Sequence, residues 1–208
     1  MSASALRCFD RLAAQTRWHA FTAAEERLVR AFARRWAIRA GERVLEPGCG
    51  AGRLTEKLAA WVGPDGRVLA FDESAEFLRV ARRRGLPAQA KFRRALVQTV
   101  RLRRGAYDHV VCFNVFPHLL PHARILRRLV TVLRPGGQVW IAHTASRARI
   151  NAIHRRGPKS IHSHLIPPAR TLAAMLAEAG LVDVGVESRR DQFHAWGRKP
   201  GRASSPRS

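Results

Sequence analysis

The run Arg43-Val44-Leu45-Glu46-Pro47 is a short, mostly apolar strand pattern that ends in an acid. It passes directly into Gly48-Cys49-Gly50-Ala51-Gly52 and then into Arg53-Leu54-Thr55-Glu56-Lys57-Leu58, where Leu54, Leu58 and Trp61 share one helical face. Three glycines in five residues dictate a tight strand-to-helix turn, and a backbone without Cβ atoms can be approached closely by a ligand. This junction commits the chain to a buried strand covered by the helix that follows it.

The same alternation continues downstream. Gly63-Pro64-Asp65-Gly66 is a turn cluster, Arg67 to Asp72 a second strand, and Ser74 to Arg84 a second helix with Phe77, Leu78 and Ala81 facing inward. Residues 91–97 and 107–114 are expected to be the third and fourth strands. A helix bearing Leu126, Leu129, Val130 and Leu133 follows, stopped by Arg134-Pro135-Gly136-Gly137, and a fifth strand covers Val139 to His143. Alternating strands and helices imply a parallel sheet, and such sheets bind ligands beyond the carboxyl ends of their strands. Gly48 to Gly52 and Asp72 both fall there. A carboxylate at Asp72 suits the two hydroxyls of a ribose, a feature shared by several nucleoside cofactors; its structural alternative is a helix N-cap, a job open to Ser74 as well.

Upstream, residues 1–21 are weakly patterned and read as an N-terminal extension. Thr22-Ala23-Ala24-Glu25 is a capping box that should start a helix running to about Ile38, with Leu28, Phe32 and Trp36 on one stripe. Downstream, Ser146 to Arg156 reads as a helix with Ile150 and Ile153 inward and Asn151 and His154 on a neighbouring face. A helix over 169–179, strands over 182–187 and 192–196 forming an edge hairpin, and a basic tail over 198–208 rich in Arg, Pro, Ser and Gly complete the chain. The domain proper spans 22–197.

Composition narrows the function classes. The formal charge of +23 comes overwhelmingly from arginine, since Lys57, Lys91, Lys159 and Lys199 are the only lysines. The arginines run the length of the chain without a block, as solvated helix faces would place them, so a nucleic-acid partner is the alternative rather than the first reading. Cys8, Cys49 and Cys112 form no Cys-x-x-Cys pair, which fits a reducing, cytoplasmic setting. No apolar run is long enough for a membrane span.

With Asp72 after it, Glu46-Pro47-Gly48-Cys49-Gly50-Ala51-Gly52 resembles the first motif of class I S-adenosylmethionine-dependent methyltransferases, and its spacing departs from the Gly-x-Gly-x-x-Gly of dinucleotide enzymes. Tyr107-Asp108-His109-Val110-Val111 and Val132-Leu133-Arg134-Pro135-Gly136-Gly137 extend the resemblance in order and spacing. It covers about residues 43–143, resumes at 169–181, and is closest to the branch that methylates quinone precursors and other small metabolites.

The resemblance implies a Rossmann-like α/β three-layer sandwich with a mostly parallel seven-stranded sheet and an antiparallel edge hairpin. The cofactor it implies is S-adenosylmethionine, bound by Glu46, Gly48, Cys49, Gly50, Gly52, Asp72, Glu73, Leu96, Val97 and Asn114. Glu46 and the glycines would hold the methionine part, Asp72 the ribose, and Asn114 would lie beside the transferred methyl. Phe116 and His118, with Asn114, would face a small-molecule acceptor. Leu96 stands where the family often has an Asp that accepts from the adenine amino group, which leaves the backbone near Val97 to do so and raises a catalytically impaired cofactor- or RNA-binding protein as a further alternative.

Two nucleic-acid chemistries are weakened by the residues. Asn114-Val115-Phe116-Pro117 is not the Asn/Asp-Pro-Pro-aromatic of amino-methylating enzymes, and Cys112 lies inside a strand rather than posed as a nucleophile. The transferred group arrives activated on a sulfonium, so the enzyme must align an acceptor and remove its proton. His154 or His143 is the candidate base. His154, His162 and His164 match no metal-ligand spacing, and no metal is expected.

Overall fold

The structure is a computed structural model that describes residues 3–201. Its centre is β4, Tyr107–Phe113, whose Val110, Val111 and Cys112 are fully buried, as a strand covered on both faces requires. Beside it lie β1 (Arg43–Pro47) and β5 (Leu133–His143), then β2 (Arg67–Asp72) and β3 (Ala90–Arg94) on one side, and β7 (Phe193–Arg198) and β6 (Val182–Ser188) on the other. The sheet has seven strands in the order β3-β2-β1-β4-β5-β7-β6. All pairs from β3 to β5 are parallel, while β7 runs antiparallel to both β5 and β6. The strand order reverses between β1 and β4, and a cleft opens at that point beyond the strand ends.

Side-chain alternation along the central strands builds two cores. Val110, Cys112, Val139 and Ile141 face α5 (His122–Val132) and α7 (Ala169–Glu178), meeting Leu126, Leu129, Leu172 and Leu176. Val111, Phe113, Trp140 and Ala142 point the other way, against Phe32 and Trp36 of α2 (Ala23–Trp36) and Leu54 and Leu58 of α3 (Arg53–Val62). Each fully buried leucine contributes about 1.5–3 kcal/mol of transfer free energy. The three-layer α/β architecture follows from this double covering.

Local chemistry sets several boundaries. The Thr22 hydroxyl accepts from Glu25 N and the Glu25 carboxylate accepts from Thr22 N at 2.9 Å, so the capping box starts α2 as its sequence dictates. The helix stops at Trp36, two residues short of expectation, because Ala37 turns left-handed at φ 48°. Ser74 caps α4 (Ala75–Arg82) by accepting from Phe77 N at 3.1 Å. Leu133 does not end α5 but pairs with Tyr107, and Arg134-Pro135-Gly136-Gly137 bulges out of the ladder before Gln138 rejoins opposite His109. β3 ends at Arg94 rather than 97, and residues 95–100 turn back under the cleft.

Three segments differ from their sequence reading. Residues 3–18 are ordered as α1 (Ala3–Ala13) and a short 3-10 turn (Thr16–Trp18), packed on α4 and fastened by a 2.6 Å bond from Ser74 Oγ to Asp10 Oδ1. In α6 (Arg147–Arg156) the inward face is Ile150, Asn151 and His154, while Ile153 is 55% exposed. Asn151 decides that rotation: its amide donates to Ile166 O at 3.0 Å and its oxygen accepts from Ile166 N at 2.9 Å, closing two buried backbone groups at once. The expected basic tail begins later than 198, because the Lys199 ammonium donates to Leu133 O at 2.7 Å and Val130 O at 3.1 Å; residues 202–208 lie outside the described residues.

Candidate functional site

The cleft at the switch between β1 and β4 encloses about 1090 Å³ of empty space, open solvent included. Its floor is the end of β1 and the glycine turn, with Glu46, Gly48, Cys49 and Gly50. Asp72 and Glu73 come from the end of β2, Ala95 and Val97 from the turn after β3, and Asn114, Val115, His118 and Leu119 from the segment after β4. Phe9, Leu12 and Trp18 of the N-terminal segment form a roof. Five separate stretches therefore converge on one space.

Gly48 shows why the floor needs glycine. Its φ is +69°, and a Cβ there would lie 2.2 Å from Val115 Cγ2. The turn is held by Phe71 O, which accepts from Gly48 N at 2.7 Å and Cys49 N at 3.1 Å, and by Asp72 Oδ2, which accepts from Gly50 N at 2.9 Å. Asp72 Oδ1 accepts from Ser74 N at 2.9 Å. Asn114 also has positive φ, 53°, and its side chain ties the ends of β4 and β5 by accepting from Thr144 N at 3.0 Å and donating to Thr144 Oγ1 at 3.2 Å.

The electrostatics of the floor are unbalanced toward acid. Burial pushes Glu46 up to about 8, against the opposing bond from the Thr55 hydroxyl at 2.6 Å, and the nearby Asp72 raises it further. Burial likewise lifts Asp72 to about 6, although the amides of Ser74 and Gly50 hold it down. Neither carboxylate has an ion-pair partner within 4 Å among the described residues, and Arg53, the one cation of the lining, is turned to Glu25 and Ala20 O. A ligand with an ammonium for one and hydroxyls for the other fits that deficit, and the close backbone at Gly48 admits it.

Burial raises the Cys49 thiol well above its usual range, so it stays protonated in the floor; Cys112, fully buried in β4, is raised too and touches no part of the cleft.

The histidines are arranged differently from the sequence expectation. His143 and His154, the candidate bases, do not line the cleft. His143 is 3% exposed, its Nε2 has no hydrogen-bond partner among the described residues, and burial drives it down to about 3. His154 bonds through Nδ1 to the backbone oxygen of His164 and packs its ring 4.9 Å from that of His118. His118 is the histidine in the cleft wall. Its Nδ1 sits 2.8 Å from His164 Nδ1, and Phe9 meets its ring edge-on at 4.8 Å. Burial first, then the neighbouring His154, His164, His143 and His122, hold His118 well below the ordinary imidazole range, so it is neutral. Among the described residues no group of His, Cys, Asp and Glu converges to hold a metal ion.

Three further expectations change. Leu96 is 37% exposed and does not line the cleft; its neighbours Ala95 and Val97 do. The turn after β3 thus leaves Leu96 outside the cleft lining. Phe116 is fully buried, stacked at 4.5 Å on His122, and belongs to the core rather than to an acceptor surface. Gly52 caps α3 behind the turn, where a Cβ would press on Ala81 and Phe92 at 3.1 Å, so its smallness serves helix packing.

Sequence reasoning missed the roof and its fastening. The Ala5, Cys8, Phe9, Leu12 spacing is a helical stripe, and that signal was available. The role of Arg84 was not: from α4's exit it donates to Ala51 O at 2.6 Å, pairs with Glu56 at 2.6 Å, and reaches His19 O, joining the glycine turn to the N-terminal segment.

Comparison with known proteins gives a consistent picture. Residues 44–137 match the family described as Methyltransferase domain. A ubiquinone biosynthesis O-methyltransferase of Xanthomonas euvesicatoria pv. vesicatoria is 34% identical over 156 residues, which cover 68% of this chain and 63% of that protein. The chain thus spans a little under two thirds of that relative's length. Among solved structures, a SAM dependent methyltransferase from Aquifex aeolicus superposes with a TM-score of 0.68 at 21% identity, covering 93% of this chain and 97% of the other. A Haemonchus contortus phosphoethanolamine N-methyltransferase, solved with phosphomonomethylethanolamine and S-adenosylhomocysteine, superposes with a TM-score of 0.70 at 14% identity over 84% of this chain and 52% of its own. These two likenesses concern the fold.

Proposed function

We propose that this chain, which belongs to the class I S-adenosylmethionine-dependent methyltransferases, transfers a methyl group from S-adenosylmethionine to a hydroxyl oxygen of a small, largely apolar acceptor. The observation that carries this reading is the single cleft in which two carboxylates raised by desolvation, Glu46 and Asp72, face an apolar roof and a neutral histidine. The relative named for O-methylation in ubiquinone biosynthesis favours an oxygen as acceptor atom.

When bound, the cofactor supplies a methyl already activated on a sulfonium. Glu46 and the backbone of Gly48 and Gly50 would hold its amino-acid part, Asp72 its ribose, and Ala95 and Val97 its base by contact. Phe9, Leu12, Val115 and Leu119 would clamp the acceptor and exclude water. His118 would take the acceptor proton. In the tautomer in which His118 donates Nδ1–H to His164 Nδ1, Nε2 is unprotonated and a neutral imidazole can accept there. A small-molecule acceptor is favoured over RNA because the cleft is roofed and its wall beyond the cofactor floor is apolar apart from Asn114, Arg53 and His118. We place the protein in the cytoplasm, since all three cysteines are free and buried and, among the described residues, no helix is long and apolar enough to cross a membrane.

The test is calorimetry with S-adenosylmethionine followed by turnover on phenolic and catecholic acceptors. Cofactor binding with His118→Gln slowing turnover about 10²-fold or more, at unchanged cofactor affinity, is expected for a lost general base. Absence of cofactor binding at millimolar concentration would overturn the activity, and undiminished turnover in His118→Gln would remove that residue's role.

A further inference from the structure

A second cavity, of about 450 Å³ with open solvent included, lies between α2 and the β6–β7 hairpin and shares no lining residue with the cleft. Its wall includes Phe32, Arg35, Glu187, Arg189, Gln192 and His194. His194 is 2% exposed and is enclosed by aromatic rings: it stacks on Trp140 at 5.5 Å and meets Phe32 at 5.2 Å and Trp196 at 5.3 Å.

The tautomer of His194 is fixed by its neighbour. The Trp36 indole N–H can only donate, and it donates to His194 Nε2 at 3.1 Å, so Nε2 carries no proton. A neutral ring must then carry its proton on Nδ1, and Nδ1 is buried with no hydrogen-bond partner among the described residues. Leaving a buried donor unfilled is costly, and native structures rarely do so without reason.

The protein contains a completed version of the same arrangement. At His109 the Trp140 indole donates to Nδ1 at 3.1 Å, and the other nitrogen, Nε2, meets the Glu42 carboxylate at 3.0 Å. Tryptophan, histidine and carboxylate form a closed chain there. At His194 the tryptophan and the histidine are present and the carboxylate is missing.

We infer that the cavity between α2 and the β6–β7 hairpin binds a small monovalent carboxylate, one oxygen of which accepts from His194 Nδ1 as Glu42 accepts from His109. The charges around it fit that ligand. Arg35 is spent on Glu187, held through two bonds of 2.8 Å and laid over the Trp196 ring at 4.1 Å. Arg189 is 67% exposed at its side chain and reaches Glu187 with one contact of 3.6 Å, so its guanidinium can turn to the ligand's second oxygen. Two arginines against one glutamate leave a single positive charge, which a monoanion neutralises. Both Glu187 oxygens accept from Arg35, so the donors left at the cavity are Arg189 and, once a small ring shift brings its enclosed Nδ1 to the wall, His194.

The experiment is side-chain nitrogen NMR on the full chain labelled at histidine and tryptophan, titrated with acetate at constant ionic strength against chloride. A saturable shift of the His194 Nδ1 and Trp36 indole resonances is expected, weakened about tenfold or more in Arg189→Ala and lost in His194→Phe, which keeps a ring in the aromatic enclosure. Inorganic phosphate, titrated in parallel, should compete poorly. A shift that stays linear with acetate, or equals that of chloride, would overturn the inference and assign the position to water. So would saturation by phosphate alone, or an Arg189→Ala variant that binds acetate as well as the parent; that exposed substitution reads the site even if His194→Phe fails to fold.

Discussion

Binding of the cofactor should expel about one proton at neutral pH, and that proton should come from Glu46. In the free protein Glu46 sits at about 8, so at pH 7 it is about nine-tenths protonated, whereas Asp72, at about 6, is about one-tenth protonated. A ligand ammonium beside Glu46 and ribose hydroxyls at Asp72 favour both charged forms and return each group toward its ordinary range near 4. Release is then about 1 proton per cofactor at pH 7 and more at pH 6, where Asp72 is about half protonated, and it shrinks above pH 8, where Glu46 is already ionised and the free cofactor's own amine loses its proton. Apparent affinity should accordingly rise about tenfold per unit between pH 6 and pH 8 and gain nothing further above that. Calorimetry in two buffers of different ionisation enthalpy counts the protons directly. Glu46→Gln should reduce the count at pH 7 to about 0.1 and flatten the affinity profile. A count near zero in the parent, or an unchanged count in Glu46→Gln, would refute the placement of a cation against that carboxylate.

The same carboxylate makes a statement about the free protein. A folded value of about 8 against an unfolded value near 4.5 means that the native state holds the extra proton between those limits; stability is greatest below pH 4.5 for this group and is lost as pH rises through 8, so Glu46→Gln should flatten that decline in chemical denaturation. Gly48→Ala should abolish cofactor binding and cost about 1–3 kcal/mol, since its Cβ would lie 2.2 Å from Val115 Cγ2 at positive φ; binding at parental strength would argue against close backbone contact at the floor. Asn151→Ala strands the Ile166 amide and carbonyl and should cost about 1–3 kcal/mol, with faster amide exchange at Ile166 as the local signature.

What could be read from sequence was what is encoded locally. The glycine turn, the capping box at Thr22 and the acid closing β2 each declare themselves within a few residues, because turn geometry, cap bonds and strand polarity are short-range properties. His118 could not be ranked above His154 and His143 in that way. Its claim rests on the segment after β4 turning into the cleft, while α6 rotates to satisfy Ile166 and thereby sends His154 to pack behind His118. Leu96 shows the same limit: the strand read to 97 ends at Arg94, and the turn that follows gives Ala95 and Val97 to the cleft lining.

The roof over the cleft is made by residues 3–18, whereas every polar group of the floor comes from β1, β2 and the segment after β4. The roof contributes no strand to the sheet; it is pinned at Asp10 to Ser74 and by Arg84 at His19. On the proposed function the N-terminal segment touches only the acceptor side of the cleft, whereas the segment after β4 serves acceptor and cofactor together. On that function, exchange of Phe9, Leu12 or Trp18 should retune which acceptor fits without a single ladder bond being renegotiated, so this short helix and the turn after it are the natural target for altering specificity.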